Sequence, residues 1–369
     1  MRLLIALNAR FPTEKAYGIQ VETMARGAVA AGFEVGITYP RRTAIEPKPI
    51  QGITYFPRGL KLIGLPGWTF HITRWFGLLG LSAVAKKFRP DFVLANDPLQ
   101  AAFFPKPWKL IWDLHDIPNP KKSQNRILIQ MILKRSQGIL STNVTKLEVL
   151  KRLGFKLPPS CVLPNPVGFD PAPFLAQEQT EARKELGVTP VELPVVYAGQ
   201  MYPWKGVETL IAAVPFLPEH VHVHLIGGIG KDLDRCEEFA ASMEVDIRTR
   251  MTFHGLKQPE HIPLWLRAAE VIVIPNSGKE RISREDTNPM KLYEALAVNA
   301  KIVMSDLPAL REAAGDTPGV WFVVPDSPQL LAETILRTIN APDPERRKTW
   351  FSAEERAQQF KKFLETQVR

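Results

Sequence analysis

Short apolar, β-rich runs alternate with amphipathic stretches along the chain. In the first half the runs are Leu3–Ala6, Glu34–Thr38, Phe92–Leu94, Leu110–Trp112, Gly138–Ser141 and Cys161–Leu163. Between the first two, Val21, Met24, Ala25 and Ala28 fall at i, i+3, i+4 and i+7, one face of a helix. In the second half the strands read Pro194–Ala198, His222–Ile226, Met251–His254, Val271–Ile274, Lys301–Met304 and Val320–Val323. Helices are predicted over Val207–Val214, Leu233–Ser242, Ile262–Ala269, Pro289–Val298 and Ser327–Ile339. This alternation, met twice over, predicts an α/β chain of two doubly wound, Rossmann-like domains. The halves share an architecture but no residue-level repeat.

The boundary is the proline-laden segment Leu163-Pro-Asn-Pro-Val-Gly168-Phe-Asp-Pro171, through which no helix can run. It divides the chain into domains 1–168 and 169–351. A charged helix, Ser352–Gln367, is expected to carry residues 352–369 back onto the first domain. Ligands of open α/β sheets bind beyond the carboxyl ends of the strands. Two such domains are therefore expected to face each other across a cleft.

A chain of 369 residues suits two domains. With 45% hydrophobic and 23% charged residues it is neither disordered nor fibrous. The most apolar region, Leu62–Ala85, is interrupted by Pro66, His71 and Arg74. Its charge-free part, Trp75–Ala85, falls short of the ~20 residues of a membrane-spanning helix. Met1–Pro12 reads as a first strand and not a signal peptide. Cys161 and Cys236 make neither a disulfide framework nor a cysteine zinc site. A cytoplasmic protein is expected, and 33 prolines imply many loops.

Charge changes the picture. Met1–Gly168 carries 24 Lys/Arg against 9 Asp/Glu, a net +15, and the remainder is −6. So basic a half implies an anionic partner. Residues 56–90 hold Arg58, Lys61, Arg74, Lys86, Lys87 and Arg89 among Leu60, Leu65, Trp68, Phe70, Trp75, Phe76 and Leu78. Basic and aromatic residues on an apolar background read as a helix lying on an anionic membrane. A buried helix with a basic end is the plainer reading, and a phosphorylated soluble acceptor would also explain the charge.

Two stretches carry candidate chemistry. In Asp286-Thr-Asn-Pro-Met-Lys-Leu-Tyr-Glu294, Asn288 reads as an N-cap and Pro289 as the first helical residue. The free N–H groups there make an anion site. Glu294, about 1.5 turns in, leans back towards it and suits a sugar diol. Asn299 reads as the helix end. A surface glutamate on a capped helix explains the segment as well. In Tyr197-Ala-Gly-Gln-Met-Tyr-Pro-Trp-Lys-Gly206, a strand turns at Gly199 and offers Lys205 at a helix entry, where a flexible point charge reaches phosphate. A solvated loop lysine is the alternative.

Together these stretches resemble the nucleotide-sugar site of glycosyltransferase family 4, the retaining group with the GT-B fold. The acid pair Asp286 and Glu294, separated by seven residues, follows Gly199 and Lys205 at the family's distance. Lys301-Ile-Val-Met-Ser-Asp-Leu-Pro-Ala-Leu-Arg-Glu312 also matches the wording of one subgroup. The resemblance implies donor contacts at Gly199, Gln200, Thr287, Asn288 and Met290. It adds the loop at Gly228, the backbone of Leu256 and Lys257 for the base, and His115 for the transferred sugar. Gly18, in Ala16-Tyr-Gly-Ile-Gln-Val, resembles the flexible loop that closes over the donor.

Three departures stand out. Gln200 replaces the family's arginine, Asp286 replaces a glutamate, and Pro289 stands where many members have glycine. Arg281 or Arg284 is expected to supply the missing positive charge. The resemblance implies hexosyl transfer from a nucleotide diphosphate sugar with anomeric retention. Lys205 and the helix tip at Met290 would stabilise the leaving phosphate, without a metal or cofactor. Asp232-Leu-Asp234 reads as helix-start charge and not as a metal site. A degenerate, non-catalytic binding module remains open. So does a GT-B nucleotide-sugar epimerase, although seven histidines spread along the chain suggest no acid–base cluster. A nicotinamide dehydrogenase lacks its Gly-x-Gly-x-x-Gly turn, and no nucleic-acid motif appears.

Overall fold

The computed structural model describes residues 1–13, 16–64, 69–345 and 348–368. The chain divides into two compact units, Met1–Gly168 with Phe351–Arg369, and Phe169–Trp350.

In the first unit, strands β1 (Arg2–Ala6), β2 (Glu34–Pro40), β3 (Ile53–Arg58), β4 (Phe92–Ala95), β5 (Lys109–Leu114), β6 (Gly138–Ser141) and β7 (Ser160–Val162) form one parallel sheet. Its order is β3-β2-β1-β4-β5-β6-β7. Helices α1 (Ala16–Ala30), α2 (Phe70–Phe76), α3 (Leu81–Phe88), α4 (Pro98–Phe103), α5 (Ser123–Arg135) and α6 (Val144–Arg152) connect the strands. The hydrophobic pattern gives six of the seven strands. It misses β3, an edge strand that holds a proline and fully buries only Arg58. Such a strand lacks the apolar run of a buried one.

In the second unit, β8 (Leu193–Ala198), β9 (Val221–Ile226), β10 (Met251–Gly255), β11 (Val271–Ile274), β12 (Ile302–Ser305) and β13 (Val320–Val323) form a parallel sheet. The order is β10-β9-β8-β11-β12-β13. Its helices are α7 (Ala172–Ala176), α8 (Gln179–Glu185), α9 (Val207–Ala213), α10 (Lys231–Ala241), α11 (Val245–Arg248), α12 (Ile262–Ala268), α13 (Met290–Ala297), α14 (Pro308–Ala314) and α15 (Pro328–Ile339). Val195 and Tyr197 of β8 and Val221, Val223 and Leu225 of β9 share a core with Leu210 and Ile211 of α9 and Ile335 of α15.

The last helix, α16 (Ala353–Gln367), belongs to the first unit. Ser352 and Glu355 close its start with a capping box. Phe360, Phe363 and Leu364 enter the core formed by α1, β1 and β2. Each such buried side chain contributes about 1.5–3 kcal/mol. Gly27 of α1 lets the helices approach, since a Cβ there would lie 2.2 Å from the Ala353 carbonyl oxygen. Arg356 Nε donates to the Pro164 carbonyl at 2.8 Å, which ties α16 to the chain just ahead of Gly168. Among the described residues no helix is long and apolar enough to cross a membrane.

Candidate functional site

In the second sheet the strand order reverses between β8 and β11. The loops leaving these two strands therefore diverge around a crevice, the usual ligand position of such sheets. The β8 loop ends in a single 3-10 turn, Pro203–Lys205, and Gly206 follows with φ +67°. A Cβ at Gly206 would sit 2.1 Å from the Pro275 carbonyl oxygen, so only glycine allows the β11 loop this close. Ser277 N–H donates to the Trp204 carbonyl at 3.0 Å and fastens the two loops.

Lys205 is half-buried in this junction. Its Nζ lies 4.2 Å from the Trp204 ring centroid, and among the described residues no carboxylate pairs with it. Burial, and then the charge of Lys291, push its ammonium pKa down to about 8. Asn276, two residues past β11, is fully buried, and neither atom of its amide has a hydrogen-bond partner among the described residues. Each unmet buried group costs about 1–3 kcal/mol, a penalty that a bound polar ligand removes.

Beyond Asn276 the β11 loop forms a π-helical turn, Ile282–Asp286. Asp286 is buried, and Arg281 Nη1 lies 3.2 Å from its Oδ1 and 2.9 Å from its Oδ2. Arg284 Nη1 donates to the Gly278 and Lys279 carbonyls at 2.7 and 2.8 Å. Both arginines are thus engaged within the loop. The buried Thr287 returns its N–H to the Ile282 carbonyl at 2.9 Å.

The expected helix cap is corrected here. Helix α13 begins at Met290, and Pro289, in extended conformation, holds the capping position. Asn288 instead donates its Nδ2 to the Tyr293 hydroxyl at 2.9 Å. A proline turned out of helical geometry shifts the start by one residue. Glu294 is buried on α13, with Lys291 Nζ 2.5 Å from its Oε2. Asn299 has φ +61°, the left-handed geometry expected at the helix end.

The other loops interlock through backbone. Gly199 N–H donates to Ile226 and Gly227 N–H to Gly255, both at 2.8 Å. Gly227 has φ +108°, and a Cβ there would meet the Gly199 carbonyl oxygen at 2.2 Å. Gly228 follows in the same turn, and Leu256 and Lys257 are exposed just past β10. Gln200 accepts the Tyr197 hydroxyl on its carbonyl at 2.6 Å. Arg235 of α10 donates to the Met201 carbonyl at 2.5 Å and pairs with Glu208 and Asp232 at 2.6 and 2.9 Å. It braces the β8 loop against α9 and α10.

In the first unit, His115 follows β5, and its Nε2 lies 2.9 Å from Asp113 Oδ2. Burial alone would raise the Asp113 carboxyl. The His115 ring and the charges of Arg356 and Lys146 outweigh it and hold the pKa below the usual range. Both residues line a small recess with Tyr17, Gln20 and Asn96. Gly18 does not lie in a loop: it is the third residue of α1. A Cβ there would clash with the Thr13 carbonyl oxygen at 2.3 Å.

Residues 56–90 do not form one amphipathic helix. They comprise the end of β3, then α2 and α3. Leu65 and Trp68 lie outside the described residues, as does the Phe70 side chain. Arg58 is buried, donating to the Leu7 and Gly77 carbonyls at 2.5 and 3.1 Å and to Thr38 Oγ1 at 3.1 Å. Burial lowers its pKa to about 9. Arg74 pairs with Asp97 at 2.8 Å. Lys61, Lys86, Lys87 and Arg89 remain at the surface, as do Ile72, Trp75 and Phe76.

Gly199, Gln200, Lys205, Gly228, Leu256, Lys257, Asp286, Thr287, Asn288, Met290 and Glu294 all lie on the loops and helix starts that follow β8 to β11. Sequence reasoning missed Lys291, Asn276 and Arg235. Lys291 was signalled by its i, i+3 spacing to Glu294, and Arg235 by the same spacing to Asp232; Asn276 carried no local signal. The histidines are also corrected: His222, His224 and His254 gather on β9 and β10.

Residues 192–341, inside the second unit, match the family model described as Glycosyl transferases group 1. A D-inositol 3-phosphate glycosyltransferase of Xylanimonas cellulosilytica is 28% identical over 209 residues, which cover 54% of this chain and 48% of that protein. One from Mycolicibacterium gilvum is 27% identical over 179 residues, covering 48% of this chain and 38% of that protein. The matches thus span about half or less of these relatives. Sucrose-phosphate synthase from Thermosynechococcus elongatus superposes with a TM-score of 0.77 at 18% identity, covering 100% of this chain and 94% of that one. Anabaena HepE, solved in complex with UDP and glucose, superposes with a TM-score of 0.74 at 16% identity, covering 99% of each chain. Two Rossmann-like units with these neighbours define the GT-B fold. Residues 192–341 of the second unit are thus similar to group 1 glycosyl transferases.

Proposed function

We propose that the chain is a retaining glycosyltransferase. It moves a hexosyl group from a UDP- or GDP-sugar to a lipid-linked or saccharide acceptor, in glycan, cell-envelope polysaccharide or glycolipid synthesis. The observation that carries this reading is Lys205, a half-buried cation without a carboxylate partner among the described residues, beside Lys291 in the crevice between the β8 and β11 loops. A cation held at that disadvantage suits an anionic ligand. The N–H groups at the start of α13 and the orphaned amide of Asn276 add donors.

In this reading the diphosphate meets Lys205 and the α13 tip, and Glu294 takes the ribose hydroxyls. Charge developing on the leaving phosphate is stabilised by groups already in place. Asp286, fixed by Arg281, is assigned to the transferred sugar. HepE binds UDP and glucose, so UDP-glucose heads the donors to test. A second reading, a non-catalytic donor-binding module, is favoured by Gln200 in place of an arginine.

Incubation with radiolabelled UDP- and GDP-hexoses and an acceptor extract discriminates the two. Transfer of label to a larger product supports the enzyme. Donor binding without transfer or hydrolysis supports the module.

The exposed Ile72, Trp75 and Phe76, with Lys61, Lys86, Lys87 and Arg89, support peripheral contact with an anionic membrane. Co-sedimentation with anionic vesicles tests it, and absence of binding removes that part of the proposal.

A further inference from the structure

Strand β9 reads Val221-His-Val-His-Leu-Ile, and its two faces differ. Val221, Val223 and Leu225 enter the apolar core. His222 and His224 alternate with them and take the opposite face. A strand inside a parallel sheet covered on both sides is normally apolar on both. Two imidazoles at successive positions of one face therefore need a reason.

Their neighbours supply one. Glu192 stands just ahead of β8, the strand paired with β9. One ligand atom from each of Glu192, His222 and His224 lies within 4.8 Å of the others. His224 is buried, and the other two are half-buried. His224 Nε2 is 2.7 Å from Glu192 Oε1. A second ring of contacts orients the imidazoles. Thr252 Oγ1 lies 2.8 Å from His222 Nε2, and His254 Nε2 lies 3.0 Å from His224 Nδ1. The Trp265 ring of α12 packs on His224 and His254, with centroids 5.0 and 4.3 Å away.

We propose that Glu192, His222 and His224 form a binding site for a divalent metal ion of the zinc class. Two imidazole nitrogens and one carboxylate oxygen are a donor set that zinc accepts, leaving a fourth position for water. Zinc ligands stand about 2.0–2.2 Å from the ion. Three donor atoms already within 4.8 Å of one another would be drawn closer together by a tetrahedral ion. Metal-bound histidines use their second nitrogen to fix tautomer and ring orientation. His224 has that bond at Nδ1 to His254, and His222 is held at Nε2 by Thr252.

Glu192 and His222 lie at the entering ends of β8 and β9. Gly199 and Gly227 lie at the leaving ends. The ion thus clamps the entering ends of β8 and β9, inside the sheet, and takes no part in the transfer step.

The test uses the full chain after dialysis against a chelator. Zn²⁺ is titrated by calorimetry and Co²⁺ by its visible absorption, with thermal melts in parallel. The proposal expects one equivalent bound per chain and a higher Tm with Zn²⁺. Glu192→Gln and His222→Asn should each weaken Zn²⁺ binding about tenfold or more. Both variants should keep the wild-type affinity for the donor nucleotide. Absence of saturable binding of either ion by the folded wild-type protein would overturn the site, as would unchanged affinity in both variants.

Discussion

Arg281 reaches both carboxylate oxygens of Asp286, through one nitrogen 2.9 and 3.2 Å away. Asp286 is buried while Arg281 is about a third exposed, so the pair straddles the wall of the crevice. The guanidinium expected to replace an absent phosphate ligand instead holds the acid assigned to the sugar. Arg281→Ala and Asp286→Asn should therefore couple. A double-mutant cycle in urea should give about 1–3 kcal/mol of interaction. Strict additivity would remove the pairing from the account.

The depressed pKa of Lys205 has consequences for pH. Between about 8 and its ordinary 10.5, the unfolded chain holds a proton here that the folded chain lacks. Stability from this group therefore rises with pH across that window, and its burial is a liability below it. Lys205→Met should stabilise the free protein at pH 7 by about 1–3 kcal/mol while removing nucleotide binding. Chemical denaturation and calorimetry read the two effects separately. A destabilised variant would show that Lys205 is held by favourable contacts.

Binding has the opposite dependence on pH. Charged Lys205 is the form that attracts a diphosphate, so affinity should fall as pH rises through about 8. Lys291 is one cause of that low value. Lys291→Met should move the midpoint upwards. Titrations across pH, in buffers of different ionisation heat, should show proton uptake on binding. An unmoved midpoint would detach Lys291 from Lys205.

Gly206 is predicted to be irreplaceable for steric reasons. Its φ is +67°, and a Cβ would overlap the Pro275 carbonyl oxygen. Gly206→Ala should lower stability by more than about 2 kcal/mol and displace Lys205. A variant of wild-type stability would mean that the β11 loop yields freely.

The basic surface gives a graded expectation. Each exposed lysine near an anionic membrane contributes about 1 kcal/mol. Replacing Lys61, Lys86 and Lys87 with Gln should weaken vesicle binding about a hundredfold. Arg58→Met should act on stability instead, because Arg58 is buried under three hydrogen bonds. Unchanged vesicle binding by the triple variant would place any membrane contact elsewhere.

The sequence made the buried strands legible because parallel strands covered on both faces are continuous apolar runs. Val271–Ile274 and Gly138–Ser141 were found without error. Ile53–Arg58 was missed because an edge strand needs no such run. Helix α13 starts one residue later than the sequence pattern predicts, since Pro289 fits the first helical position chemically but takes an extended conformation. The Arg281–Asp286 pair was hidden because a π-helical turn brings together residues five apart, a spacing that ordinary helices do not pair. His224 and His254 are thirty residues apart, and only the pairing of β9 with β10 joins them. The alternation of His222 and His224 along β9 is legible in the sequence, whereas the partners that gather round them are not.

The most direct test of the central claim is calorimetric titration of the wild type, Lys205→Ala and Glu294→Ala with UDP, GDP, ADP and their hexose conjugates, without added metal. The account predicts that the wild type binds one nucleotide class and that each variant weakens it about tenfold or more, by loss of a charge-assisted contact. No binding by the folded wild type, or full affinity in both variants, would contradict the donor site described between the β8 and β11 loops.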